Sequence, residues 1–422
     1  MTRHWKSSRF NILFSENGKF YIANTLTGAI CELALDEYRA FQSNDFSKLE
    51  DVSIDEMKKQ GIVIDESLDE IGLLRHAYTQ SKFSKGKARL TICTTLQCNF
   101  ACPYCYERRQ VGAMSSEVQA GVIRYVENLI SSGIKLISVV WYGGEPLLYP
   151  KIIEGLSCKI ASLCNDSHVA YACSMISNGF LIDNRALAMF EKIKLSTLQI
   201  TIDGDERTHN TRRKLSNGGA TYQRILDNIQ TLSSFPIRVV VRVNIDRSNI
   251  DEFALVKNAV EKMNPNAICL PALVTLEDTQ SSEQRKKCFT DEERPAFYRR
   301  FMSDKSFLLD LEKCLGQGIA TCAAEHYYSC VIDPKGFRYQ CLNEVGNPKY
   351  AIASVLDSKV CGEAAIAKYF GRDPFTEEEC CDCVYLPLCY GRCVWEYKHK
   401  GVHSCSATRY IFEDMVKRRL SD

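Results

Sequence analysis

Three thiols fall within one short stretch of this chain, Cys98-Asn-Phe-Ala-Cys102-Pro-Tyr-Cys105, directly after a strand-like run that ends at Cys93. Three thiolates without a fourth make a poor zinc site, because zinc takes a complete set of four ligands. Iron–sulfur cubanes are ligated by Cys thiolates, so C-x3-C-x2-C can hold three irons of a [4Fe–4S] cluster and leave the fourth open to a substrate. A structural zinc knuckle using the same thiols is the plainer alternative.

The remaining composition narrows the setting. With 422 residues, 45% of them hydrophobic, the chain is long enough for two or three domains around a sizeable core. A formal charge of +1 and no long single-sign run give no reason to expect nucleic acid as a partner. No apolar run approaches the ~20 residues that span a bilayer, and the start has no apolar signal segment behind it. A cytoplasmic enzyme away from the membrane is therefore expected. In that reducing compartment 21 cysteines read as metal ligands rather than disulfides, and they crowd between Cys322 and Cys405.

Residues 1–85 differ in character from the rest of the chain. Phe10–Phe14 and Phe20–Ala23 flank Asn17-Gly18, whose positive φ angles suit a hairpin, and a third short strand follows Thr27-Gly28. Helical segments at 35–41 and 54–59, a strand at 61–65 and a polar helix from Ser67 to about Ser84 complete a small α+β domain. From Ala88 onward β-rich runs at 88–93, 135–141, 169–176, 197–203, 237–246 and 268–276 alternate with amphipathic segments at 115–132, 149–165, 184–193, 221–234 and 249–263. Val118, Val122, Val126 and Leu129 recur at helical spacing in the first of these. Six β-α steps imply an α/β fold with a parallel sheet and helices outside, and chemistry in the loops at the carboxyl ends of the strands.

The motifs sit in those loops. After the second strand comes Trp141-Tyr142-Gly143-Gly144-Glu145-Pro146: two glycines that permit close backbone approach, and a carboxylate that can accept from an ammonium. The third strand ends in Ser174-Met-Ile-Ser177-Asn178-Gly179. The fourth leads into Asp203-Gly204, His209-Asn210 and the pair Arg212-Arg213. Together with the thiol motif this series resembles the radical S-adenosylmethionine (SAM) enzymes, whose fold is a partial (β/α)6 barrel. The resemblance implies that the cluster's open iron is chelated by SAM, which is cleaved to a 5′-deoxyadenosyl radical that takes a hydrogen atom from substrate. By the same resemblance Cys98, Cys102 and Cys105 hold the cluster, and Gly143, Gly144, Glu145 and Pro146 hold the SAM amino group. Ser174, Ser177 and Asn178 reach its ribose or carboxylate, Tyr104 packs on adenine, and Arg213 binds the carboxylate, with Asn244 a further contact. Asn210 departs from the pattern, which usually has Asp there.

The carboxyl-terminal cysteines follow C-x13-G-x4-C from Cys322 through Gly336 to Cys341, then Cys380-x2-Cys383-x5-Cys389-x3-Cys393 and finally Cys405; Asp333-Pro-Lys-Gly336 reads as a hairpin turn. This resembles the SPASM domain, which carries two auxiliary [4Fe–4S] clusters and brings the expected total to three. The pattern assigns Cys322, Cys341 and Cys393 to the first, with Cys330 where relatives often place a fourth ligand. Cys380, Cys383, Cys389 and Cys405 are assigned to the second. Cys93, Cys158, Cys164, Cys173, Cys269, Cys288, Cys314, Cys361 and Cys381 take no assignment.

Three domains are expected: a peptide-recognition-like domain at 1–85, the radical SAM barrel at 86–280, and a bridging region with the SPASM domain at 281–422. SPASM relatives mostly modify peptides, so the expected function is a maturase that cross-links side chains of a ribosomally made precursor peptide, by a thioether or a carbon–carbon bond. Its expected partners are the precursor's leader segment and a reductant such as flavodoxin or ferredoxin. The main alternative is an anaerobic sulfatase-maturing enzyme, but that branch carries an Asp directly after the second SPASM Cys, where Leu342 stands here. A zinc-stabilised interaction module is the alternative of another class.

Overall fold

The computed structural model describes residues 5–47, 49–275, 280–305, 307, 322–357, 362–401 and 405–420. Cys314, Cys361, the end of the expected strand at Leu276 and the first residues of the polar stretch after it lie outside them. Two compact units emerge. The first comprises Met1–Lys82, Glu293–Cys322 and Arg372–Asp422; the second comprises Phe83–Glu292 and Ala323–Gly371.

In the first unit, β1 (Trp5–Ser7) pairs antiparallel with β5 (Val63–Asp65), and β2 (Asn11–Glu16), β3 (Lys19–Asn24) and β4 (Ile30–Leu33) form a separate antiparallel sheet. Asn17 (φ 52°) and Gly18 (φ 78°) make the expected tight turn between β2 and β3. Because side chains alternate across a strand, β3 serves two cores. Ile22 packs with Leu33, Phe41, Ile54 and Met57 under α1 (Leu35–Ser43) and α2 (Asp51–Lys59), while Tyr21 and Ala23 face Phe412 and Val416 of the last helix, Ala407–Arg419. The helix α3 (Glu70–Lys82) brings Leu74 and Tyr78 against Phe375, Cys380, Leu386 and Tyr390. The loop that carries the late cysteines is therefore built onto the amino-terminal segment. Sequence periodicity could not reveal that, because it is blind to contacts three hundred residues apart.

Arg372 fixes that loop. Its guanidinium forks onto the Glu377 carboxylate (2.8 and 2.9 Å) and donates to the carbonyls of Gly391 (2.8 Å) and Arg392 (3.2 Å), with both side chains of the ion pair buried. Removing either partner would strand a buried charge, at a cost of about 3–5 kcal/mol.

The second unit realises the expected β-α alternation. Its strands β6 (Ala88–Cys93), β7 (Leu136–Tyr142), β8 (Ala170–Ser177), β9 (Thr197–Thr201), β10 (Arg238–Ile245) and β11 (Ile268–Leu273) lie parallel, in spatial order β11-β10-β9-β8-β7-β6. Between them run α4 (Ser116–Ser131), α5 (Pro150–Asp166), α6 (Asn184–Lys192), α7 (Glu206–Arg212), α8 (Tyr222–Leu232) and α9 (Phe253–Met263). Ser115 and Asp183 cap α4 and α6 by accepting from Val118 and Ala186 backbone N–H groups, and Val118, Val122, Val126 and Leu129 are buried as their spacing requires. The sheet then continues beyond β6. β12 (Cys330–Ile332) adds in parallel, and β13 (Phe337–Tyr339) and β14 (Ala353–Ser354) follow antiparallel. Gly336 (φ 86°) turns the β12–β13 hairpin as expected, but the attachment of that hairpin to β6 has no signal in the sequence. Among the described residues no helix is long and apolar enough to cross a membrane.

Candidate functional site

The thiol loop leaves β6 and is gripped from two sides. From one side, the Ala101 N–H donates to the Lys214 carbonyl (2.9 Å) and the Ser216 N–H to the Asn99 carbonyl (2.8 Å). From the other, the loop after β7 closes on it: the Gly144 N–H donates to the Thr95 carbonyl (3.2 Å) and the Glu145 N–H to the Gln97 carbonyl (2.8 Å). A Cβ on Gly143 would stand 2.2 Å from the Thr95 oxygen, and one on Gly144 2.1 Å from the Gln97 oxygen. The two glycines thus permit a close approach between two loops of the chain itself, on top of any approach to a ligand.

Cys98, Cys102 and Cys105 line one cavity of about 300 Å³, together with Tyr104, Gly143, Gly144, Ser177, Asn178, Arg213 and Asn244. Ten of the thirteen residues expected at the catalytic cluster and SAM therefore converge. The other three stand outside the lining. Glu145 is fully buried, and its carboxylate accepts from Leu147 N–H (3.0 Å), Ser177 Oγ (2.8 Å) and Asn178 N–H (2.8 Å). It braces the two residues that do reach the cavity. Pro146 opens the short turn Pro146–Leu148, and the Ser174 hydroxyl donates back to the Val139 carbonyl (3.4 Å) within the sheet.

A buried polar network forms the far wall. The Tyr104 hydroxyl donates to the Asp203 carboxylate and accepts from Arg213 Nη1 (2.6 Å) and Asn244 Nδ2 (3.4 Å). Arg212 is buried: it pairs with Asp246 (2.7 Å) and Asp203 (3.4 Å) and lies over the Tyr104 ring at 5.1 Å. Arg212 thus pairs with both carboxylates directly, while Arg213 balances the remaining charge from across Tyr104. Arg213 sits over the Phe100 ring at 5.7 Å, and its Nε is buried without an acceptor among the described residues. The Asn99 Nδ2 donor is likewise buried and unmatched.

His209 and Asn210 support this wall from behind. The Asp203 N–H donates to His209 Nδ1 (3.3 Å), so the ring proton is on Nε2, which donates to Thr221 Oγ1 (3.1 Å); that hydroxyl in turn donates to the Arg213 carbonyl (2.8 Å). Asn210 Oδ1 accepts from the Thr221 and Tyr222 N–H groups (2.8 and 3.0 Å) and so caps α8. An Asp would accept equally well there, so the departure at this position leaves the local structure intact. Pattern reading missed Asp246, Arg212 as a buried group, and the trio Tyr106, Glu107 and Tyr142 on the cavity wall. The Tyr106 and Tyr142 hydroxyls bond each other, and both Glu107 carboxylate oxygens are buried without a hydrogen bond of good geometry.

The residues suit the expected groups. Burial pushes the Cys98 thiol up to about 12 and Cys105 to about 11, so as free thiols they are protonated and only a metal would hold them as thiolates. Among the described residues no three His, Cys, Asp or Glu side chains are drawn together as one mononuclear ion demands. Three thiols sharing a cavity suit a polynuclear group whose ligand sulfurs sit on separate irons. The unmatched Arg213 donor on the same cavity suits a ligand that brings an anionic or carbonyl acceptor.

The late cysteines divide. In the first unit, Cys380, Cys383, Cys389 and Cys405 line one small cavity, and Cys322 and Cys393 are close enough for the one thiolate to disfavour the other. Cys330 and Cys341 belong to the second unit. The Cys330 thiol is buried against the Tyr125 hydroxyl (3.8 Å), and the Arg338 guanidinium lies 4.5 Å over the Tyr125 ring. Cys341 directly precedes Leu342, which reaches the central cavity.

The far wall makes a prediction. Burial first, then the charges of Arg213 and Arg212, hold His209 well below its ordinary 6.5, so it is neutral in the folded protein. Below pH 6.5 the unfolded chain takes up a proton that the folded one refuses, and stability falls by up to about 1.4 kcal/mol per pH unit. Above that pH the contribution is complete. In urea unfolding at pH 7.5 and 5.5, His209→Gln removes this part of the loss; equal pH slopes in both proteins would contradict the assignment.

Comparison with known proteins agrees with the geometry. Residues 92–258 match the Radical SAM superfamily. A radical SAM cyclopropyl synthase, TigE of Paramaledivibacter caminithermalis, is 20% identical over 98% of this chain and 95% of its own length. A serine-type anaerobic sulfatase-maturating enzyme of Klebsiella aerogenes is 20% identical over 76% of this chain and 82% of its own. Among solved structures, Streptococcus suis SuiB bound to its precursor peptide SuiA superposes with a TM-score of 0.52 at 13% identity, covering 96% of this chain and 99% of that one. Residues 92–258 are therefore a radical SAM domain, and the chain is a radical SAM superfamily enzyme.

Proposed function

We propose that this enzyme matures a ribosomally made precursor peptide by joining two of its side chains, by a thioether in the favoured case and by a carbon–carbon bond in the other. The observation that carries the reading is the cavity in which three thiols, the guanidinium of Arg213 with its unmatched Nε, and an apolar wing of Leu273, Val274 and Leu342 meet. Relatives that span nearly the whole chain include the TigE synthase, and the SuiB fold, which also extends over the amino-terminal region, is seen with a precursor peptide in place. Those likenesses support a peptide substrate here.

Cys98, Cys102 and Cys105 would hold a [4Fe–4S] cluster, and Ser177, Asn178, Tyr104, Asn244 and Arg213 would hold SAM beside it. When bound, these groups together with auxiliary clusters supply the hydrogen-atom abstraction and the electron acceptor that closing such a bond requires. The chain's own work is placement. Glu145 fixes Ser177 and Asn178, and Gly143 and Gly144 seat their loop against the thiol loop. Arg212 takes the direct ion pairs with Asp203 and Asp246, so that Arg213 can present its unmatched Nε to a carboxylate, and Leu273, Val274 and Leu342 keep water from the reacting side chains. Cys322, Cys341 and Cys393 would hold the first auxiliary cluster and Cys380, Cys383, Cys389 and Cys405 the second; Cys330 is better accounted for as a buried partner of Tyr125. β2 and β4 are the outer strands of the amino-terminal sheet, and we assign one of these edges to strand addition by the leader segment. A small reductant of the flavodoxin or ferredoxin type completes the system.

The sulfatase-maturing reading rests on the Klebsiella relative. Against it, Leu342 supplies no carboxylate to the cavity where that branch has Asp.

Two measurements test the proposal. Replacing Cys98, Cys102 and Cys105 by Ala in anaerobically prepared protein should lower iron from about 12 to about 8 per chain and abolish 5′-deoxyadenosine formation. Retained cleavage of SAM would refute the assignment. Closing one bond removes two hydrogens, one as an atom and one as a proton and an electron, so each event should lighten the peptide by about 2 Da, the mass of two hydrogens. A thioether also leaves its Cys resistant to alkylation after reduction, whereas a free alkylatable Cys moves the bond to carbon–carbon. A new aldehyde trapped by hydrazine would favour formylglycine formation instead.

A further inference from the structure

The four thiols of Cys380, Cys383, Cys389 and Cys405 share their cavity with two guanidiniums, Arg392 and Arg409, and one carboxylate, Glu379. Arg409 Nη1 donates directly to Cys405 Sγ at 3.0 Å, and Arg392 Nη1 to the Cys405 carbonyl at 2.9 Å. Arg409 lies in the first turn of the helix Ala407–Arg419, which Ser406 caps. A cation at that end of a helix opposes the backbone dipole. Its side chain turns back from the helix to the Cys405 sulfur, the acceptor it reaches.

A second feature lies in the loop. Tyr390, Gly391 and Arg392 are three consecutive residues with positive φ (47°, 71° and 56°), a run that L residues adopt only when something holds it. The Arg372 fork on the carbonyls of Gly391 and Arg392 is what holds it. A Cβ on Gly391 would stand 2.7 Å from the Arg372 guanidinium and 2.9 Å from Pro374. This backbone places Gly391 itself in the lining of the cavity that holds the four thiols. The Cys405 sulfur therefore receives an N–H donor that carries a full positive charge.

We propose that Arg409 is a positioning residue that raises the reduction potential of the iron–sulfur group held by these four thiols. The proposal rests on the ligation given under the proposed function. Reduction adds a negative charge to the group, and a hydrogen-bonding cation on a ligand sulfur stabilises the reduced form more than the oxidised one. The site is thereby biased toward accepting an electron. Arg409 is exposed, so the effect weakens as salt screens it.

The test is an anaerobic potentiometric titration of the full-length protein, followed by electron paramagnetic resonance, with Arg409→Gln, Arg409→Lys and wild type compared at low ionic strength. In Arg409→Gln one reduction step should move to more negative potential, so that at the wild-type midpoint the reduced-to-oxidised ratio falls at least ~3-fold, while the other steps and the iron content stay unchanged. Arg409→Lys keeps the charge and should restore most of that ratio. Added salt should shrink the difference between wild type and Arg409→Gln. Superimposable titrations with full iron would overturn the proposal. Zinc in place of iron at this site in the wild type would overturn the ligation on which it rests.

Discussion

The site depends on a backbone contact too close for any side chain. Gly143 and Gly144 bring their loop to within a missing Cβ of the Thr95 and Gln97 carbonyls, and two N–H donors lock it there. Any other residue would force the loops apart, an overpacking cost of about 1–3 kcal/mol. It would also displace Cys98, the next residue after Gln97. The same loop carries Glu145, whose carboxylate pins Ser177 and Asn178 at the end of the neighbouring strand. One pair of glycines thus registers three strand ends, β6, β7 and β8, around a common cavity.

Across that cavity the problem is electrostatic. Two adjacent arginines and two aspartates are buried together, an arrangement that is costly unless each charge is matched. The structure matches them unequally. Arg212 takes both Asp203 and Asp246, and Tyr104 takes the remaining reach of Asp203, so Arg213 keeps a donor that nothing among the described residues satisfies. An unsatisfied buried donor costs about 1–3 kcal/mol. Such a cost is sustained where a ligand repays it, which is why we place the proposed anion contact on this wall rather than on the Glu145 loop. His209, held neutral, adds no third charge, and through Thr221 it fixes the Arg213 backbone.

Much of this was legible in the sequence. The six β-α steps lie within a few residues of their expected positions because apolar periodicity and helix caps are local signals. The thiol spacing, the Gly-Gly turn and Arg213 also declared themselves, since each is a rule about chain geometry or donor chemistry at fixed offsets. What escaped was non-local. That Glu145 would turn away from the cavity depends on Ser177 and Asn178, thirty residues on. That Arg212 would be buried depends on Asp246. The attachment of β12 to β6, and of the late cysteine loop to α3, depends on partners hundreds of residues distant. Cys330 fitted a ligand spacing, yet its thiol packs against Tyr125, a contact that no spacing rule contains.

The central claim is that the uneven sharing of charge leaves Arg213 as the donor to an anionic ligand beside the three thiols. Calorimetric titration of SAM into anaerobically reconstituted wild-type and Arg213→Gln proteins tests it most directly. The account predicts at least a tenfold loss of affinity with iron content unchanged, about 1.4 kcal/mol or more, and partial recovery in Arg213→Lys. Equal affinities in wild type and Arg213→Gln would contradict it.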